Sequence, residues 1–216
     1  MVALALQLGG LALSTLGCLG AILSCALPMW KVTAFIGSNI IVAQVFWEGL
    51  WMTCVYESTG QMQCKAYDSL LDLPADLQVA RALVTVSIAA SLLALLVAVF
   101  GAKCTRCVDD PGTKGRVLAV AGAVSILAGL ALLIPVSWSA QTIISNFYNP
   151  LVPEALKREL GTSLYMGWVA SALLGLGGAL LCCFCPPQEG SKKDHPVWYW
   201  AGKRSSPSSY ARKDYV

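Results

Sequence analysis

Residues 6–27 read LQLGGLALSTLGCLGAILSCAL, a run without a single Lys, Arg, Asp or Glu. A helix needs roughly 20 apolar residues to cross the hydrocarbon core of a bilayer, and this run is long enough for one crossing. The charge-free stretch extends from residue 1 to Trp30, and three more follow at 82–102, 117–153 and 160–188. Inside lipid every backbone amide must be bonded within its own segment, so four spanning helices are expected. Their predicted positions are 6–27, 79–101, 117–138 and 163–185. The third window is longer than one span. Its surplus, 139–153, is polar and aromatic and reads as the start of a loop. Composition agrees, with 56% of the 216 residues hydrophobic and 12% charged, against about 25% charged in a soluble domain. The first span lacks a basic leading region and is long for the core of a cleaved signal, so it reads as a retained helix.

The basic residues set the expected sidedness. Lys103, Arg106, Lys114 and Arg116 fall in the short loop 101–116, and Lys192, Lys193, Lys203, Arg204, Arg212 and Lys213 in the tail. The positive-inside rule places that loop and both termini in the cytoplasm. The net charge of +3 is spread over these two segments and does not point to nucleic acid. The expected organisation is a bundle with its loops over residues 1–185 and a disordered cytoplasmic tail at 186–216, rich in Ser, Pro and Lys. Trp198-Tyr199-Trp200 within that tail has no assigned role. Small residues recur every fourth position: Gly167, Ser171, Gly175, Ala179 and Cys183; Ala90, Ala94, Ala98 and Ala102; Ala121, Ser125 and Gly129; Gly17, Ala21 and Cys25. Such stripes let helix backbones approach closely in lipid and predict a left-handed four-helix bundle. Pro135 predicts a bend near the outer end of the third span.

Two loops remain outside, 31–78 and 139–162. In the first, segments 32–35, 40–47, 50–56 and 62–67 are rich in β-branched and aromatic residues, with Ser58-Thr59-Gly60-Gln61 as a turn signal. They predict a small extracellular antiparallel β-sheet. Asp68-Ser69-Leu70-Leu71-Asp72-Leu73 reads as a short helical turn stopped by Pro74. Cys54 and Cys64 are the only cysteines in these loops. Flanking a turn in an oxidising space, they are expected to pair, with two free thiols as the alternative. Closing so short a ring contributes roughly 2–3 kcal/mol.

Trp30, Gly49-Leu50-Trp51, Cys54 and Cys64 match the pattern W…GLW…C…C of the claudins, and Arg81 matches that family's arginine at the mouth of the second span. The chain therefore resembles a claudin from its first span to its terminal Tyr215-Val216, and resembles the barrier-type, enterotoxin-sensitive members. A similar signature occurs in myelin-type tetraspan proteins and in auxiliary channel subunits, which are the alternative. The resemblance implies a structural component of tight junctions in the plasma membrane. Such proteins polymerise in cis and pair in trans between cells to form a paracellular barrier with charge-selective control of ions. It implies that the signature tryptophans mount the sheet on the bundle. It implies lateral polymerisation through Leu70 as a knob and Phe147 and Tyr148 as its pocket, where Leu70 packing inside its own loop is the competing reading. Charge selection falls to Glu57, Lys65 and Asp68, with a solvated hairpin surface as the competing reading. The balance leans towards a barrier against cations.

Three further segments carry expectations. Asn149-Pro150-Leu151-Val152 resembles the segment by which some claudins bind a clostridial enterotoxin, although Asn-Pro alone would explain a turn. Lys213-Asp214-Tyr215-Val216 suits a PDZ domain, which adds the peptide as a strand and pockets the terminal Val. Scaffolds of the zonula occludens type are the implied partners. Cys104, Cys107, Cys182, Cys183 and Cys185 lie at the cytoplasmic membrane edge and read as S-palmitoylation sites, a shared zinc site or plain thiols being the alternatives. No cofactor is expected. Catalysis is not expected either, because His195 is the only histidine and lies in the tail, and no nucleophile–base pair or phosphate loop is visible.

Overall fold

A computed structural model describes residues 2–33, 45–56, 60–69, 73–101, 111–153 and 157–183. Four long helices carry the fold: α1 (Val2–Ala26), α2 (Ala75–Gly101), α3 (Pro111–Tyr148) and α4 (Thr162–Cys183). All four are long and apolar enough to cross a membrane. They close a ring in which α1 packs on α4 and α2, and α3 packs on α2 and α4.

The helix exteriors are apolar and the interior is small and partly polar, the arrangement lipid demands. Leu8, Leu16, Leu93, Leu96, Leu127, Leu130, Val169 and Leu176 face outward, whereas Ser14, Ser24, Ser87, Ser91, Ser125 and Ser163 are buried. Those hydroxyls bond helix to helix: Ser87 donates to the Ala128 carbonyl at 2.7 Å, and Ser24 to the Ser163 carbonyl at 2.8 Å. In lipid, such bonds and close van der Waals packing replace the hydrophobic drive. A Cβ added at Gly177 would lie 2.4 Å from Ser14 Oγ, and one at Gly178 would lie 2.6 Å from the Gly122 carbonyl oxygen. The stripe on α4 is therefore not quite the expected one. Gly167 and Ser171 are buried and the Gly175 amide nitrogen lies 3.3 Å from where a Cβ at Gly129 would stand, but a Cβ at Gly175 itself would meet nothing within 4 Å, and Ala170, Leu174, Gly177, Gly178 and Leu181 are buried as well. A strict four-residue repeat drifts around a 3.6-residue helix, so a mixed three-and-four spacing holds the face.

The third helix differs most from expectation. It does not end near Trp138 but continues to Tyr148, running through Pro135. At 38 residues it is about 57 Å long, well beyond a hydrocarbon core of about 30 Å. Residues 139–148, read as loop, form its projecting end.

That projection flanks a five-stranded antiparallel sheet of order β4-β3-β2-β1-β5. Its strands are β1 (Lys31–Thr33), β2 (Val45–Glu48), β3 (Met52–Tyr56), β4 (Met62–Ala66) and β5 (Arg158–Leu160). Four of these overlap the expected segments. The fifth comes from the second loop and pairs with β1 (Val32 opposite Glu159), so both loops share one sheet. Residues 70–72, expected as a helical turn, lie outside the described residues.

Candidate functional site

The candidate site is the junction where the sheet meets the bundle. After α1 ends at Ala26, Pro28 and Met29 turn the chain and Trp30 drops into the core, fully buried with Leu50, Leu77, Val84, Leu132, Val136 and Leu164. Burying an indole of roughly 200 Å² contributes about 5 kcal/mol at most. Its polar atoms are all matched. Trp30 Nε1 donates to the Ser24 carbonyl at 2.7 Å. Its backbone amide donates to the Glu48 carbonyl at 2.9 Å, and its carbonyl accepts from Gly161 at 3.1 Å. One residue thus ties α1, the end of β2 and the link between β5 and α4.

Gly49-Leu50-Trp51 forms the tight link from β2 to β3. The Gly49 amide donates to the Met52 carbonyl at 3.0 Å, and its carbonyl accepts from the Tyr67 hydroxyl at 3.3 Å. A Cβ at Gly49 would stand 2.4 Å from Pro28 Cα, so the backbones touch where only glycine fits. Leu50 plugs the core. Trp51 stays 39% exposed, with its indole N–H donating to Cys25 Sγ at 3.2 Å. The Arg81 guanidinium lies over the Trp51 ring at 4.1 Å.

Above the junction, Cys54 on β3 and Cys64 on β4 are directly opposed, 4.0 Å apart at Cα, and are bonded as a disulfide. Cys54 is buried and β4 is exposed throughout. Lys65 and Asp68 on this hairpin form an ion pair at 2.6 Å, each side chain more than three-quarters exposed. Two of the three groups expected to select charge, Lys65 and Asp68, therefore offset each other. Glu57 lies outside the described residues.

A family model described as the PMP-22/EMP/MP20/Claudin family matches residues 4–181. Claudin-4 of Canis lupus familiaris is 60% identical over 97% of this chain and 99% of its own length. Claudin-3 of Homo sapiens is 57% identical over 100% of both chains. The chain belongs to the claudin family. Claudin-4 of Homo sapiens, at 56% identity over 97% of this chain, agrees.

In this claudin the signature residues Trp30, Gly49, Leu50, Trp51 and Arg81 come together with the Cys54–Cys64 hairpin as one unit. Other expected residues lie elsewhere. Phe147 and Tyr148 stack edge to face at 5.6 Å on the projecting end of α3, with Lys157 Nζ 5.6 Å from the Phe147 ring. Tyr148 is 79% exposed. Leu70 lies outside the described residues. The segment 149–152 is a turn in which the Leu151 amide donates to Asn149 Oδ1 at 3.0 Å and the Leu151 side chain is 88% exposed. Of the membrane-edge cysteines, Cys182 is half-buried and Cys183 exposed. Cys104, Cys107, Cys185 and 213–216 lie outside the described residues.

Several residues that build the junction carried no sequence signal. Arg158 on β5 reaches Glu48 Oε1 at 2.7 Å and Thr33 Oγ1 at 2.7 Å and packs over the Phe46 ring. Lys31 Nζ, largely buried, meets Asp76 Oδ2 at 2.7 Å. Partners separated by 110 and 45 positions leave no spacing to read. Gly161 is another: a Cβ there would stand 1.8 Å from the Met29 carbonyl oxygen.

Proposed function

We propose that this claudin is a structural component of tight junctions, assembling with other claudins in cis within a membrane and in trans between cells to restrict paracellular passage. The observation that carries this reading is the mount itself. Trp30, Leu50 and the disulfide hairpin hold a five-stranded sheet on one end of the bundle, in a chain that aligns with Claudin-3 and Claudin-4 end to end. A sheet anchored by a buried tryptophan presents a fixed surface, and fixed surfaces lose little entropy on assembly. The alternative of a myelin-type protein or auxiliary channel subunit is not favoured by these relatives. The role is structural and not catalytic, with the sheet outside the cell and both termini in the cytoplasm.

The finer parts of the reading concern partners. Leu70 engages the aromatic pair Phe147 and Tyr148 of an adjacent copy, in which Tyr148 stands exposed, and an exposed aromatic anchor is what such an interface needs. The segment 149–152 offers Leu151 to a clostridial enterotoxin, and 213–216 offers its final Val to zonula occludens PDZ scaffolds. Cys182 and Cys183, with Cys104, Cys107 and Cys185, take palmitoyl chains.

Expression in cells that lack claudins tests the central claim. Freeze-fracture is expected to show strands where transfected cells touch. Leu70→Glu is expected to reach the surface and form none. Absence of strands with the parent chain at contacts would overturn the function, and strands with Leu70→Glu would overturn the lateral contact.

A further inference from the structure

Arg81 is one of the charged groups that the three ion pairs among the described residues do not include. The described residues include four carboxylates, Glu48, Asp68, Asp76 and Glu159. Three are held by other cations: Glu48 by Arg158, Asp68 by Lys65 and Asp76 by Lys31. Among the described residues no ion pair reaches Arg81, and its Nε is sealed from solvent without a hydrogen-bond partner. What it does contact is the Trp51 ring, 4.1 Å below the guanidinium carbon. Trp51 is partly exposed, so the pair opens outward and is not closed in the core.

Depth sharpens the question of its partner. The 27 residues of α2 span about 40 Å, and an upright helix centred on a hydrocarbon core of about 30 Å would project about 5 Å at each end. Arg81 lies six residues from the sheet-side end, about 9 Å along the axis. Its Cα then sits a few ångströms below the headgroups. Helical side chains tilt towards the N-terminus, which for α2 is the sheet side, so the guanidinium rises to the phosphate level. A permanent cation there, stacked on an aromatic face and with free donor edges, fits a phosphodiester.

We propose that Arg81, laid on Trp51, binds the phosphodiester of a phospholipid headgroup in the leaflet on the sheet side. Two phosphate oxygens accept from the guanidinium edge while the indole fixes its plane. The bound lipid thereby clamps the Gly49-Leu50-Trp51 segment to the membrane surface. The inference rests on the bundle crossing a membrane and is independent of strand assembly.

The test uses the full chain purified in a maltoside detergent, which carries no phosphate, and titrated with phosphatidylcholine under native mass spectrometry. One lipid is expected to stay bound, at least about tenfold more weakly in Arg81→Gln and at an intermediate level in Arg81→Lys. Circular dichroism and an oxidised Cys54–Cys64 bond confirm that both variants are folded. Millimolar inorganic phosphate is expected not to displace the lipid. Asp72→Asn is expected to leave retention unchanged. Equal retention in the parent and Arg81→Gln would overturn the site and leave Arg81 a brace for Trp51. Displacement by free phosphate would overturn the lipid assignment. A rise with Asp72→Asn would show that Arg81 is already paired within the chain.

Discussion

Trp30 is held twice over, by its ring in the core and by its indole N–H on the Ser24 carbonyl. Trp30→Phe keeps an aromatic ring but removes that donor and leaves a buried carbonyl unmet. The expected loss is about 1–3 kcal/mol, read as a lower thermal midpoint in detergent. The glycines make a sharper contrast. Gly161→Ala forces a methyl against the Met29 carbonyl oxygen, a backbone atom that has no room to move. It is expected to cost more than about 3 kcal/mol and to reduce the folded yield. Gly175→Ala, with nothing near its Cβ, is expected to be neutral or slightly stabilising through the better helix propensity of alanine. The same midpoint measurement checks both. Equal behaviour of the two would mean that the close approach at Gly161 is not real. Neither outcome was legible from the residues alone, since Gly175 sits in the clearer small-residue stripe and Gly161 in none.

At the scale of elements, β5 matters most. Three residues with two charges, Arg158-Glu159-Leu160, look like loop, and no alternation can show in so short a run. They become a strand paired with β1, where Arg158 finds Thr33 on β1 and reaches across it to Glu48 and Phe46 on β2, a set drawn together only by the fold. Arg158→Ala is expected to release β5 and leave the Cys54–Cys64 hairpin in place. Hydrogen exchange should then quicken at residues 158–160 and 31–33 but not at 52–56. Even exchange across the whole sheet would show that the second loop supports the hairpin as well. The projecting end of α3 has a related cause. Residues 139–148 are polar enough to read as loop, yet buried Ser139, Ala140 and Ile143 keep one face against the fold, and the helix runs on.

For the whole molecule, the charge on the outer hairpin is where the family reading was least specific. Lys65, with Glu57 pulling the other way, leans towards a barrier to cations, but its pairing with Asp68 leaves little net field from the two. Beyond a Debye length of roughly 8 Å even that is screened. Lys65→Asp places two acids together and is expected to raise the sodium-to-chloride permeability ratio across an epithelial monolayer. Asp68→Asn removes the negative charge opposite Lys65 and is expected to lower it. Dilution potentials measure both. Identical ratios for the two variants would take this hairpin out of the ion path.

Charge-free windows, loop cysteines and the Trp and Gly-Leu-Trp signature are local patterns. The four spans, the disulfide hairpin and the claudin family were therefore determined by the sequence itself. Lipid leaves a long apolar segment no structure but a helix, and two cysteines across a turn have few other partners. Tertiary structure decided the rest: the Arg158–Glu48 clamp, Lys31 on Asp76, the neutralisation of Lys65 and the isolation of Arg81 over Trp51. These are pairings between residues far apart in the chain. Which cation meets which carboxylate depends on distances of a few ångströms, and only the packed bundle and sheet set those distances.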